Sequence, residues 1–119
     1  MTKKIENNIE LGLEEKIEKC PVETAIDVLA GKWKILILWY LRRDTLRFNE
    51  LQKLMPRTTQ KMLIQKLREL EEDGIVHREV YPVVPPKVEY SLTSYGDTLK
   101  PIIKELYLWG EIHKEKNKK

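Results

Sequence analysis

The most regular pattern of apolar and polar positions lies in the middle of the chain, over Thr59–Asp73. Leu63, Leu67 and Leu70 recur there at the spacing that brings side chains to one face of a helix. Gly74 follows at a position that suits the end of a helix. The pattern therefore predicts a helix over Thr59–Asp73 that buries one face in a core.

Two more helices are predicted nearer the N-terminus. Proline is favoured at the first position of a helix, so Pro21 predicts the start of one, and apolar residues at helical spacing continue it to Gly31. The stretch 32–42 is almost continuously apolar. Its periodicity alone would also allow a strand, but its length favours a buried helix.

A helix-turn-helix is predicted around Pro56. Leu46 to Phe48 predicts a short extended segment, and Asn49 is a favourable N-cap for a helix that ends before the proline. The next residues, over 56–58, predict a tight turn into the Thr59–Asp73 helix.

The remaining C-terminal third predicts a hairpin and one more helix. Alternating apolar positions over 76–80 and 88–92 flank a proline-rich tip at 82–86, as in a β-hairpin with a rigid loop. Ser94, with an acidic residue three positions later, resembles a capping box that opens the C-terminal helix. Pro101 marks a bend in this helix or its first turn.

The first 19 residues carry a thin apolar stripe on an otherwise charged segment. This stripe predicts a helix, although Gly12 weakens it, and so narrow a face suits a partner helix better than the core of one chain. Its members stand four residues apart and are Ile5, Ile9, Leu13 and Ile17.

Together these elements predict a mainly α fold with a small β-hairpin wing, a winged helix-turn-helix with extra N- and C-terminal dimerisation helices. The 119 residues fit one domain. Within it, residues 1–19 form an N-terminal helical extension, 20–92 the winged-helix core, and 93–119 the C-terminal helix and a basic tail.

The distribution of charge points to a polyanionic partner. The whole chain has a net charge of +3, but Arg42 to Arg68 holds eight basic and two acidic side chains, a balance of +6, so the rest sums to −3. Clustered positive charge favours a partner such as double-stranded DNA. Two alternatives stay open at this point: a solvated basic face, and a winged-helix module that docks an acidic protein.

The outward face of the Thr59–Asp73 helix is the candidate reader of DNA. Its Arg and Lys side chains suit guanine or phosphate, and its Gln side chains suit adenine. Acidic residues crowd its C-terminal end, which leaves the N-terminal half free to approach DNA, although an ordinary amphipathic helix remains the alternative. The predicted DNA-binding residues are Thr58, Thr59, Gln60, Lys61, Gln65 and Arg68 at this helix, Arg47 and Lys53 before it, and Arg78 and Lys87 on the hairpin.

The hairpin offers a second contact through its stiff tip, which could lie along the minor groove or a phosphate strand. A solvated turn is the alternative. His77 on the hairpin and His113 in the basic tail are interpreted as surface residues.

Catalytic and metal chemistry find little support. The five glycines are dispersed, and two distant histidines with one cysteine form no recognisable triad or metal site. We therefore predict no enzyme activity, no metal and no cofactor. The aromatic side chains of Trp33, Trp39 and Trp109 stand at helical positions and are interpreted as core or interface filler.

No membrane segment is predicted either. The longest apolar run, Ile35 to Leu41, is far shorter than the roughly 20 residues that a transmembrane helix needs. The charged N-terminus lacks the apolar stretch of a secretory signal. A cytoplasmic location is therefore expected.

Cys20 is the candidate redox-sensing residue. With Pro21 at the first helical position it falls at the N-cap, where free backbone N–H groups and the positive helix end favour a thiolate, and Lys16 and Lys19 add positive charge. A small inert residue buried at a helix start is the alternative. A thiol enzyme is a weaker one, because no histidine or second cysteine stands near it in sequence.

From Cys20 to Trp109 the chain resembles the HxlR-type helix-turn-helix transcriptional regulators, within the wider MarR-like winged-helix group. The resemblance rests on the order and spacing of Cys-Pro, GKW, RFNEL, LRELEEDG and VEYSLT.

The resemblance implies a homodimer on an inverted-repeat operator, with the terminal helices as the dimer interface. It also implies control of neighbouring detoxification or oxidoreductase genes in many members, and in several of them stress sensing through the cysteine before this proline. Two features depart from the family pattern. The segment before Cys20, with 19 residues, is longer than expected for the family. Ile64 stands where a small hydroxyl residue is common, so the base preference of the family is not carried over to this chain.

Overall fold

The computed structural model describes residues 18–118, so the predicted helix over the apolar stripe of the N-terminal extension lies outside the described residues. Helices dominate the described part, and a small antiparallel sheet accompanies them, which confirms the predicted mainly α fold with a small β wing. In chain order the elements are α1 (Pro21–Leu29), α2 (Lys32–Leu41), β1 (Leu46–Arg47), α3 (Phe48–Leu54), α4 (Gln60–Glu72), β2 (Val76–Tyr81), β3 (Lys87–Leu92), α5 (Ser94–Asp97) and α6 (Lys100–Lys116).

The sheet has three strands in the order β1-β3-β2, one more than a simple hairpin. Strands β2 and β3 form the predicted hairpin, with Val76 opposite Leu92 and Tyr81 opposite Lys87. The extended segment before α3 pairs with the other edge of β3, where Leu46 lies opposite Tyr90. This pairing ties the base of the wing to the start of the helix-turn-helix.

The core lies between α2, α3, α4 and the base of the wing. Leu63, Leu67 and Leu70 are almost completely buried, as their spacing predicts, and α4 presents them to α2. The apolar stretch of α2 is a helix, as its length predicts, and its Ile37 and Leu38 are fully buried. The rest of the buried apolar cluster consists of Leu41, Leu51, Met55, Ile75, Val76, Tyr90 and Ile103.

Helix α3 begins earlier than the sequence predicts. Its N-cap is Arg47, not Asn49, and the Arg47 backbone N–H donates to Glu50 Oε1 at 2.7 Å. A glutamate at the third helical position commonly satisfies the N-cap amide in this way. The capping function of Glu50 therefore moves the helix start by two residues.

The C-terminal helix begins later than predicted, because a single short turn, α5, precedes it. Thr93, not Ser94, caps α5: its Oγ1 accepts from the Gly96 N–H at 2.9 Å and donates to the Gly74 carbonyl at 2.6 Å. Helix α6 starts only at Lys100, and Pro101 lies in its first turn, one of the two predicted possibilities.

Candidate nucleic-acid interface

The turn between α3 and α4 sets the orientation of α4 relative to α3. The Gln52 side chain spans this turn, since its Nε2 donates to the Thr58 carbonyl at 2.7 Å. Thr59 is the N-cap of α4, and its Oγ1 accepts from the Met62 N–H at 3.0 Å. Both contacts hold α4 with its leucine face inward and its polar face outward.

The outer face of α4 is exposed and mostly polar. It combines two amides and two cations with one apolar side chain, Ile64, which is 40% exposed. Such a set can offer hydrogen bonds to base edges and a methyl contact to thymine. The side chains that line this outer face are Gln60, Lys61, Ile64, Gln65 and Arg68.

Thr58 does not belong to the outer face. It is only 3% exposed, because it packs inside the turn, and its hydroxyl has no hydrogen-bond partner among the described residues. The burial contradicts the prediction that Thr58 contacts DNA. Thr59 beside it is exposed, although its oxygen caps α4.

A second groove runs between α4 and the wing. Arg68 of α4 and Arg78 of β2 share its wall, and Val88 and Tyr90 of β3 lie with them. The sequence predicts both arginines as DNA contacts separately, and the fold brings them to one groove. A guanidinium group can bind either a phosphate or a base edge, so this groove can receive a DNA strand.

The other predicted cationic side chains differ in their exposure and in their contacts with neighbouring residues. Arg47 and Lys53 are exposed beside the helix-turn-helix. Lys87 is half-buried within the wing, where its Nζ lies 3.4 Å from Glu89 Oε2 and 4.6 Å from the centre of the Tyr81 ring. Lys87 must therefore give up contacts within the wing to reach a phosphate.

Arg42 is one of the eight basic residues of the charged stretch, but its side chain packs against Trp39 beside the core. Its guanidinium lies 3.4 Å from the centre of the Trp39 ring, and its Nη1 donates to the Trp39 carbonyl at 2.7 Å. Trp39 in turn stacks on Tyr107 of α6 at 4.6 Å. The basic stretch is therefore only in part a surface for anions.

Trp109, unlike Trp39, is 62% exposed and is not a core residue of the isolated chain.

An ion pair beneath the outer face joins two residues that the sequence did not predict to belong to the site. Lys34 is buried on α2, and its Nζ lies 2.9 Å from Glu69 Oε1 of α4. This contact is the main reason that the pKa of Glu69 is lowered from its ordinary value of 4.5. The sequence signal for the pair is a lysine inside an otherwise apolar helix, which requires a buried partner.

The Cys20 side chain is exposed in the isolated chain, which contradicts the alternative of an inert buried residue there. Its backbone N–H donates to Glu23 Oε1 at 3.1 Å, as expected of an N-cap position. Lys19 forms an ion pair with Asp27, so its charge is already balanced and is not directed at the thiol. Lys16 lies outside the described residues.

His77 and His113 are surface residues, as predicted, and each contacts a residue close to it in sequence. Over residues 18–118, no three or more His, Cys, Asp or Glu side chains cluster in a way that could hold a metal ion. None of the helices in the described part combines the length and the apolar character that crossing a bilayer requires.

The helix-turn-helix, the exposed polar face of α4 and the adjoining wing define a winged helix-turn-helix protein. The family model described as HxlR-like helix-turn-helix matches residues 28–118, and the chain belongs to this family.

Similar proteins agree with this assignment. The chain is 52% identical over 112 residues to the HTH-type transcriptional regulator YdeP of Bacillus subtilis. This alignment covers 92% of this chain and 88% of the relative. It is 48% identical over 94 residues to an HTH-type transcriptional regulator of Methanothermobacter thermautotrophicus, covering 79% and 72%.

Solved structures give the same result. The redox regulator HypR in its oxidized form superposes with a TM-score of 0.75 at 55% identity, covering 77% of this chain and 95% of that one. The reduced form of the transcriptional regulator YodB from B. subtilis superposes with a TM-score of 0.68 at 38% identity, covering 79% and 93%. These relatives are transcriptional regulators, which confirms the prediction of a regulator and not an enzyme.

Proposed function

We propose that this protein regulates transcription as a homodimer that binds an inverted repeat in duplex DNA, in the cytoplasm. The observation that carries the proposal is the outer face of α4, where five neighbouring side chains are directed away from a helix whose opposite face is buried in the core. A helix held in this way can enter the major groove without unfolding any part of the domain.

Within this proposal the side chains divide between reading bases and binding phosphates. Lys61, Gln65 and Arg68 on α4 read base edges, because their amide and cationic groups match the donor and acceptor pattern of the major groove. The proposed phosphate contacts position the dimer without reading sequence, and they come from Arg47, Lys53, Arg78 and Lys87, with Thr59 and Gln60 at the start of α4.

The test compares a proposed base contact with a proposed phosphate contact. A 20-bp duplex is first selected from a random pool by the parent protein. Gln65→Ala is expected to lose discrimination among single-base-pair variants of this duplex, whereas Lys53→Ala weakens binding to all of them alike and lowers the salt dependence. If duplex DNA shows no salt-dependent binding at low ionic strength, the proposal fails and an acidic protein partner becomes the better explanation.

The homodimer is supported by apolar side chains that the isolated chain leaves exposed. On α6, Ile103 is buried in the core, but several other apolar side chains of this helix are exposed. Val22 and Ile26 of α1 are exposed too. Exposed apolar side chains grouped on a helix favour protein association. The exposed apolar residues of α6 are Ile102, Leu106, Tyr107, Leu108, Trp109 and Ile112.

Sedimentation tests the dimer. Trp109→Ala and removal of residues 1–19 are each expected to raise the dimer dissociation constant and to lower affinity for the selected duplex together. In a dimer that binds DNA, the two α4 helices enter successive major grooves about 34 Å apart, so weaker pairing also weakens binding. An unchanged dimer in both variants would move the interface to another surface.

Redox sensing through Cys20 completes the proposal. The thiol is exposed at the start of α1, next to the exposed apolar residues of that helix. The similar structures include a redox regulator in oxidized and reduced forms and a diamide-treated YodB. Binding of the selected duplex after mild diamide treatment is expected to fall in the parent and to persist in Cys20→Ser. Equal sensitivity in the two proteins would exclude Cys20 as the sensor.

A further inference from the structure

Lys34 occupies an unusual position for a lysine. It lies in α2 with its side chain only 7% exposed, among the apolar residues of the core. Its Nζ donates to the Val28 carbonyl at the end of α1, at 3.2 Å, and contacts Glu69 Oε1 of α4 at 2.9 Å. A buried ammonium requires such partners, because it has lost its water. One side chain therefore connects three helices.

Glu69 carries the connection on to the outer face of α4. Its Oε1 also lies 3.5 Å from Lys66 Nζ, while its Oε2 accepts from Gln65 Nε2 at 3.3 Å. The carboxylate is thus held on one oxygen by the buried lysine and offers the other oxygen to Gln65. Gln65 is a residue that the proposed function assigns to base reading.

The chemistry of a carboxylate determines which way the Gln65 amide faces. An ionised carboxylate only accepts hydrogen bonds, so the amide nitrogen of Gln65 turns towards Glu69 and the amide oxygen turns away. Among the described residues, the second N–H and the oxygen of this amide have no hydrogen-bond partner. These are the two groups that a glutamine uses to bind adenine at N7 and N6.

We propose that Lys34 is a positioning residue for DNA sequence recognition: it fixes the Glu69 carboxylate, which fixes the orientation of the Gln65 amide on the outer face of α4. The inference rests on the proposed function, namely that α4 reads base edges. Lys34 touches no DNA itself. Its effect on recognition passes through Glu69 and Gln65.

A structural role alone predicts a different result. If the ion pair only held α2 and α4 together, its loss would change stability and the affinity for every duplex alike. A positioning role changes the preference between duplexes while leaving the affinity for unrelated DNA in place. The ratio of dissociation constants for two duplexes therefore separates the two roles.

The experiment uses the full chain and the 20-bp duplex selected by the parent from a random pool. Dissociation constants are measured for this duplex, for its single-base-pair variants and for an unrelated duplex. At the base pair where Gln65→Ala loses discrimination, Lys34→Met and Glu69→Gln are expected to lose it about tenfold, in the lower part of the range for one bidentate contact. Binding to the unrelated duplex is expected to change by less than about twofold.

Two controls make this result specific. Lys32→Met makes the same change two residues away on α2, where the lysine is exposed and lies over the Trp33 ring, and it is expected to keep the parent's discrimination. The double variant Lys34→Met/Gln65→Ala is expected to discriminate no worse than Gln65→Ala alone, because the lysine acts through the glutamine.

The outcomes are distinct. If the parent enriches no duplex, the proposed function itself is refuted. If Gln65→Ala loses discrimination and Glu69→Gln, which keeps the shape of the side chain, does not, the positioning role is refuted and base reading by α4 stands. Additive losses in the double variant overturn the positioning role as well, and so does a Gln65→Ala variant that discriminates like the parent.

Discussion

Gly96 is the position where the structure predicts the largest effect from the smallest change. It is buried in α5, and a Cβ added to it would lie 2.2 Å from the Ile75 carbonyl oxygen and 3.3 Å from Ile75 Cγ2. Ile75 is itself 1% exposed, and its carbonyl accepts from the Thr93 N–H at 3.0 Å. The obstacle is therefore backbone that is already held in place at the base of the wing.

Two opposing terms give the magnitude for Gly96→Ala. Alanine is favoured over glycine inside a helix by about 1 kcal/mol, although α5 is a single turn and realises only part of this. Overpacking a filled site costs about 1–3 kcal/mol, and an overlap with backbone belongs at the upper end of that range. We expect a net loss of about 2 kcal/mol in the free energy of unfolding, a large share of the roughly 5–15 kcal/mol that holds a domain folded.

Urea unfolding followed by circular dichroism measures this effect at one fixed protein concentration, because the stability of the proposed dimer would depend on concentration. With an m-value of about 1–3 kcal/mol per molar, the midpoint of Gly96→Ala is expected to fall by about 1 M. Gly110→Ala is the matched control: it lies inside α6, and over residues 18–118 no atom lies within 4 Å of the added Cβ, so its midpoint is expected to stay or rise. A Gly96→Ala midpoint equal to the parent's would refute the reasoning.

Three more predictions concern α4. Because Lys34 lowers the pKa of Glu69, the ion pair stabilises the fold above pH 4.5, the ordinary pKa of the carboxyl group, and this stabilisation is lost as the pH falls below it. The urea midpoint of Glu69→Gln should therefore depend less on pH below 4.5 than the midpoint of the parent. Leu63→Ala leaves a cavity in the core and should lower the free energy of unfolding in urea by about 2–5 kcal/mol, whereas Ile64→Ala, at an exposed position, should lower it by less than about 0.5 kcal/mol. Similar losses in the two variants would contradict the assignment of Leu63 to the buried face of α4 and Ile64 to the outer face. Thr59→Ala removes the N-cap and should lower the free energy of unfolding by about 1 kcal/mol, while Thr59→Ser keeps it; no difference between the two would exclude the cap.

The sequence predicts features whose cause is local. Leucines at 63, 67 and 70 meet on one face whatever surrounds them, because the period of a helix is a property of the backbone. The end of α4 just before Gly74 is equally local, since the φ of Gly74, +75°, is a conformation that glycine adopts freely. The order of helices, turn and wing follows from such signals, and with it the outer face of α4.

Capping is only partly local. The sequence offers several polar residues near each helix start, and the structure chooses among them by their second contacts. Thr93 caps α5 because its hydroxyl also reaches the Gly74 carbonyl, 19 residues earlier in the chain. Ser94 has the same hydroxyl chemistry, but no pattern within a short window reveals which of the two has that distant partner.

The partners of individual side chains were decided by the tertiary structure alone. Thr58 and Thr59 are chemically identical neighbours, yet packing in the turn buries the first and leaves the second exposed. Lys34 and Glu69 stand 35 positions apart, and their contact exists only because α2 and α4 pack face to face. Periodicity determines which side of a helix meets the core, whereas the distances between helices determine which polar groups are buried together and must pair.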